Sequence, residues 1–272
     1  MKKLLVLAVL LITVIASGCG DKFAKEKEAV TKAEQAAMAM KLPDITEPDY
    51  SKKPSKEDWD KYQNNFKEFL ETETKMLAEM KKTDAKITEM EKTASESEKK
   101  DLKAFKENIQ QARIDFVRKV SKGRLSGDTF IVGVGSTWQE VEMVYGQPKT
   151  KKSDYNYEYE GLTFLDWYSK GVPPKGYKFV SNGPRTIYLT SDKYVSDAGI
   201  KIGMTKNEFY KTLRSKYVKK SKYIKEDHLK ISNNENNDDN VVLSFAMQET
   251  LPYNLFITFK DGKLVNYTVA PY

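Results

Sequence analysis

One cysteine, Cys19, and one histidine, His228, are all that the 272 residues contain. A single thiol excludes a disulfide within the chain and a multi-thiolate metal centre. His228 stands alone in a Lys- and Asn-rich segment and reads as a surface residue, not a general base. Glycine is missing between Asp21 and Lys122, which removes tight glycine turns from that stretch. An uninterrupted basic run is also lacking, although the formal charge is +7. That surplus suits a position near an anionic membrane or wall polymer and does not suggest nucleic acid.

What is present begins at the N-terminus. Lys2 and Lys3 precede an uncharged apolar run from Leu4 to Ala16, followed by Ala16-Ser17-Gly18-Cys19. A positive segment, a short apolar segment and small residues before a cut site describe an export signal. At about 1.5 Å per residue the apolar run spans about 20 Å as a helix, short of the ~30 Å hydrocarbon core. The segment is therefore expected to be a removed signal over residues 1–18. Ala-Ser-Gly-Cys resembles the lipobox of bacterial lipoproteins, with Ala16 where leucine is commonest. The resemblance implies a diacylglyceryl group on Cys19, a new N-terminus there, and a lipid-anchored protein on the extracytoplasmic face of the cell membrane. Two acyl chains, palmitate among them, anchor stably where one is marginal, so the mature protein is expected to stay on a membrane surface. With Cys19 so used, no thiol is left as a nucleophile. Loss of Lys2 and Lys3 leaves 44 basic against 39 acidic residues and a formal charge of +5.

Residues 19–126 read as a helical, coiled-coil-like stalk. Phe23, Val30, Ala33, Ala37 and Met40 mark a first amphipathic helix that stops at Lys41-Leu42-Pro43. The stretch from Pro43 to Pro54 is a polar, proline-punctuated linker. A second helix starts at Ser55, with Glu57 and Asp58 in its first turn where they complement the helix dipole. Its apolar stripe runs from Trp59 through Tyr62, Phe66, Phe69, Met76 and Met80 to Met90, a span of about 50 Å at 1.5 Å per residue. Ser95 and Glu98 form a capping box for a third helix carrying Leu102, Phe105, Ile109, Ala112, Phe116 and Val120. It stops before Gly123. Two long helices with matching stripes pack most simply as an antiparallel hairpin, or as a three-helix segment if the first helix joins them.

From about Gly127 the period changes from helix to strand. Tyr155, Tyr157 and Tyr159 alternate with polar residues, the chain turns at Glu160-Gly161, and an apolar run resumes from Leu162 to Tyr168. Arg185 to Thr190 and Val241 to Met247 also read as strands. Asp261-Gly262 between two alternating runs is a strong hairpin signal. The fold class is α+β: a helical segment, then a domain of helices on antiparallel sheet, residues 127–272.

The stretch Val132 to Pro148 looks at first like a glycine-rich phosphate loop. Its copy 68 positions on argues otherwise: Val134-Gly135-Ser136-Thr137-Trp138-Gln139-Glu140-Val141 aligns without gaps with Ile202-Gly203-Met204-Thr205-Lys206-Asn207-Glu208-Phe209. A threonine three residues before a glutamate is a capping box, and the preceding glycine permits a tight entry turn. Neither the lysine of a P-loop nor the third glycine of a dinucleotide fingerprint is present. Gly135, Thr137, Glu140, Gly203, Thr205 and Glu208 are thus structural capping residues, and no nucleotide is expected. Tandem repeats are expected at about residues 127–192 and 193–272.

A capped helix followed by antiparallel strands, twice over, resembles the superfamily of β-lactamase-inhibitor-like repeats. That superfamily includes SmpA/OmlA-type outer-membrane lipoproteins and related exported lipoproteins of Gram-positive bacteria. The carrying residues are Val134 through Pro148 and Ile202 through Phe209. The second copy lacks the Gly-x-Pro that ends the first helix. The resemblance implies protein-binding or scaffolding modules that use aromatic sheet faces and loops, without enzymatic activity or a cofactor. Here the matching candidates are Tyr155, Tyr157, Tyr159, Trp167 and Tyr168, with the loop from Tyr168 to Tyr177. Alternation alone leaves open whether that tyrosine stripe is contact face or core. Asn233 to Asn240 clusters oxygen ligands but lacks the order of a calcium loop, so it reads as a solvated turn. No catalytic or metal set stands out. The rival reading is a wall-glycan- or peptide-binding protein or hydrolase accessory, with ligand in the groove between repeats. A thermal shift with wall fragments would discriminate it.

Overall fold

The computed structural model describes residues 21–45, 48, 54–122, 124–153, 156–166, 183–218, 231–233, 240–245 and 253–271. The protein is α+β and forms two compact units, Met1–Phe116 and Val117–Tyr272. The division falls inside the third helix, ahead of the boundary at residue 126 that composition suggests. Among the described residues, no helix is long and apolar enough to cross a membrane.

The helical unit is built from α1 (Ala24–Met38), α2 (Lys56–Thr93) and the greater part of α3 (Glu96–Val120). Ser55 begins α2 by a capping box with Asp58: the Asp58 amide donates to Ser55 Oγ at 3.1 Å and the Ser55 amide to the Asp58 carboxylate at 2.9 Å. At 38 residues, α2 is about 57 Å long at 1.5 Å per residue. Phe23 and Val30 pack with Ile87 and Met90 of α2 and with Leu102 and Ile109 of α3. The first helix therefore completes a three-helix cluster. Its direction follows from its contacts. Lys22 Nζ donates to the carbonyl of Thr93 at 2.8 Å, and Glu34 meets Thr83, so α1 runs antiparallel to α2.

Polar residues share the buried face of α1, which the apolar spacing did not indicate. Glu34 is fully buried, and Arg113 of α3 is 4% exposed. Arg113 Nε donates to Glu34 Oε2 at 3.1 Å, and Nη2 to Glu34 Oε1 at 2.5 Å and to the Met80 carbonyl at 3.0 Å. Thr83 also donates to Glu34, and Arg113 Nη1 reaches Asp84 at 3.2 Å. Burial works against the Arg113 charge, but the Glu34 and Asp84 carboxylates more than offset it and hold the guanidinium pKa above its ordinary value.

The second unit opens with a small hairpin, β1 (Ser126–Phe130) and β2 (Val132–Val134). Next come α4 (Trp138–Tyr145), β3 (Thr150–Ser153), β4 (Asn156–Tyr159), β5 (Leu162–Leu165) and β6 (Thr186–Leu189). The same order then recurs as α5 (Lys206–Leu213), a π-helical turn (Arg214–Val218), β7 (Ile231–Asn233), β8 (Asn240–Phe245), β9 (Tyr253–Lys260) and β10 (Lys263–Pro271). The eight strands form one antiparallel sheet in the order β3-β4-β5-β6-β10-β9-β8-β7. Each half is a four-strand meander, and the last strands of the halves pair at the centre, with Thr268 opposite Tyr188. The β9–β10 turn places Asp261 at φ 52° and Gly262 at φ 71°, the two positive values of a type I′ hairpin.

The sheet buries one face under the helices. Trp138 and Val141 of α4 and Phe209 and Leu213 of α5 are buried with Phe164, Ile187, Leu255, Ile257, Phe259 and Tyr267 from the strands. Phe209 meets Phe259 edge-on at 5.6 Å and Tyr267 at 6.2 Å. Burying one such ring contributes about 1.5–3 kcal/mol.

Candidate interaction surface

The two capping boxes sit at equivalent positions. Thr137 Oγ1 accepts from the Glu140 amide at 3.1 Å, and Glu140 accepts from the Thr137 amide at 2.9 Å. In the second half, Thr205 and Glu208 make the same pair at 3.3 and 2.8 Å. Gly135 and Gly203 precede them with φ of 99° and 89°. A Cβ on Gly135 would lie 2.2 Å from the Arg124 carbonyl oxygen, so the entry turn requires glycine for space as well as for angle.

The structural likeness extends upstream of the eight-residue motif. Ile131 and Gly199, also 68 positions apart, both have positive φ, 72° and 89°. The segments in front of these turns dock on one another. Asp128 is 2% exposed, and its Oδ1 accepts from the amides of Thr129 and Ala198, each at 3.0 Å. Tyr267 Oη donates to Asp128 Oδ2 at 2.9 Å, and the Ser196 hydroxyl bonds the same carboxylate. The Asp197 amide in turn donates to the Thr129 carbonyl at 2.7 Å, and the Ile131 amide to Asp197 at 3.1 Å. Burial pushes the Asp128 carboxyl above its ordinary pKa despite these donors. Sequence reasoning missed this joint. The signal was available, because Asp128-Thr129 and Ser196-Asp197 are also 68 positions apart.

Tyr157 and Tyr159 lie on the helix side of the sheet. Tyr157 is 4% exposed, with its ring 4.4 Å from that of Trp138 and Lys151 Nζ 5.2 Å from its centroid. Burial first, then the neighbouring Glu142, pushes its hydroxyl up to about 12. Tyr159 donates to the Gly146 carbonyl at 3.0 Å and packs 5.3 Å from Tyr145. Of the two alternatives that alternation leaves open, Tyr157 takes the core position under α4, and Tyr159 is half-buried beside it. Two-residue periodicity puts them on one side, and the apolar α4 takes that side. Tyr155, Trp167, Tyr168 and the loop 168–177 lie outside the described residues, as do Cys19 with residues 1–18, His228 and residues 234–239.

The register places another row on the opposite face. Glu158, Thr163, Tyr188, Thr268 and Phe256 are consecutive cross-strand partners from β4 to β9. Phe256 is 42% exposed and Tyr188 is half-buried. Among the described residues, no group of three or more His, Cys, Asp or Glu is placed to hold a metal ion.

No family model matches this chain, and neither a curated protein nor a solved structure matches it.

Proposed function

We propose that the chain is a non-enzymatic, membrane-anchored exported lipoprotein whose sheet unit binds another protein at the cell surface. The observation that carries this reading is the duplicated unit: a capped helix and four-strand meander, repeated and joined through β6 and β10 into one broad sheet. That architecture supports the resemblance to β-lactamase-inhibitor-like tandem repeats, and the Ala16 to Cys19 segment supports lipid attachment at Cys19. The contact face in this proposal is the side away from α4 and α5, centred on Tyr188 and Phe256. An aromatic flanked by threonines on a regular sheet supplies large contact area at little conformational cost. The helical unit is the spacer.

Photo-crosslinking in living cells tests the contact face. A photoreactive side chain at Phe256 is expected to give one discrete protein adduct, whereas the same group at Tyr157 gives none. Absence of an adduct from both Phe256 and Tyr188 would overturn the choice of face. Mass spectrometry of protein from native membranes tests the anchor: an unmodified Cys19 ends the lipoprotein reading.

A further inference from the structure

Residues 201–230 hold ten lysines and arginines against three acidic residues, a surplus of seven. The whole chain carries +7, so the remaining 242 residues balance. The counterpart stretch in the first half, residues 133–162, holds three lysines against five acidic residues. Over the described residues 201–218 there are five basic residues against one acidic, and over their counterparts 133–150 one against two, so the same place in the repeat is basic in one copy and acidic in the other. The fold does not demand the basic version.

Within the described part of this stretch, α5 buries only Phe209 and Leu213. Lys201, Lys211 and Arg214 are exposed. The β9–β10 hairpin adds exposed Lys260 and Lys263 beside the start of α5, since the Lys206 amide donates to the Gly262 carbonyl at 3.2 Å and Thr205 bridges Lys263. The acidic residues here are Glu208 and Asp261, and Glu208 already accepts from the amide and hydroxyl of its own N-cap. Tyr210, Tyr217 and Tyr223 are interspersed among the cations in sequence.

We propose that this basic end of the sheet unit, α5 with the β9–β10 hairpin, is a contact for an anionic lipid surface. Attraction between spread cations and an anionic bilayer needs no cavity and no fixed geometry, only proximity within a Debye length of about 8–10 Å. The choice of a bilayer over another polyanion rests on the reading of a membrane-anchored protein, which keeps the bilayer within reach.

The test uses unacylated chain from Gly20 onward, so that attachment at Cys19 plays no part. It is co-sedimented with phosphatidylcholine vesicles with and without about one-third phosphatidylglycerol. The expected result is at least a roughly tenfold rise in partition with the anionic lipid at low salt, abolished at high salt. The triple variant Lys201→Glu, Lys211→Glu, Arg214→Glu is expected to lose that rise. A control of equal charge change on exposed residues of the helical unit, Lys86→Glu, Lys100→Glu, Lys103→Glu, is expected to retain most of it. Circular dichroism checks that both variants fold. No preference for anionic vesicles, or equal loss in both variants, overturns the proposal. So does capture by a soluble phosphate polymer without vesicle binding. Acylation of Cys19 is read separately in native membranes, so failure here and failure of the anchoring reading are distinguishable.

Discussion

Glu140 and Glu208 occupy the same position in the two halves of the sheet unit, and each accepts from its N-cap amide, at 2.9 and 2.8 Å. Glu140 is fully buried and also pairs with Arg124, which donates to the Gly135 carbonyl at 3.0 Å. Glu208 stands in water. Local chemistry starts both helices in the same way, but the surroundings decide what removal costs. In the first half the cap has become part of the core, because the chain leaving α3 covers it. In the second half it remains a surface cap.

The largest expected contrast is therefore Glu140→Ala against Glu208→Ala. The first leaves a partly buried Arg124 without its carboxylate and should lower unfolding free energy by about 3–5 kcal/mol, while the second removes only a solvated cap and should cost far less. Denaturant titration of both variants checks this, and equal losses would break the comparison.

Next in size is the joint between the halves. Asp128→Ala strips partners from two amides and two hydroxyls and should cost about 2–4 kcal/mol. Asp128→Asn keeps an acceptor for the amides and offers Tyr267 a donor, so it should be tolerated. The pH dependence follows from the raised pKa of Asp128, whose ordinary value is 3.8. A raised folded-state value means that the ionised form burdens the fold above that pKa, and the burden lifts as pH falls through it. The melting temperature of Asp128→Asn relative to the parent should then be higher at pH 7 than at pH 4. Glu208 acts in the opposite sense: its bonds to Thr205 lower its pKa, so its contribution is present above about pH 4.5 and lost in acid.

A smaller effect is expected at the turn. Ile131 holds a positive φ that its counterpart meets with Gly199, so Ile131→Gly should stabilise by about 1 kcal/mol by relieving backbone strain. A lower midpoint in denaturant would show that the side chain matters more than the angle. Smallest of all, Phe256→Ala should change stability by less than about 0.5 kcal/mol, because the ring is partly in solvent.

The features readable in the sequence were those with short-range causes. The Ser55, Thr137 and Thr205 caps and the Asp261-Gly262 turn each depend on residues within a few positions. The cluster of Glu34, Thr83, Asp84 and Arg113 joins residues 79 apart in the case of Arg113 and Glu34, and no spacing announces it. The face of the tyrosine stripe was equally hidden, because alternation fixes that Tyr157 and Tyr159 share a side but not which side α4 takes. Asp128 and Tyr267, 139 residues apart, meet only once the two halves close on each other.

The direction of α1 has a mechanical consequence. Lys22 is bonded at the α2–α3 end of the bundle, whereas Arg113 grips Glu34 far along α1, towards the exit of α3. Tension applied between the start of α1 and the last turns of α3 therefore acts along the helix axes. The contacts of α1 with α2 and α3 are then loaded together in shear, not opened one by one as in a zipper. A pull on the start of α1 would therefore load the Lys22 bond and the Glu34–Arg113 pair at the same moment.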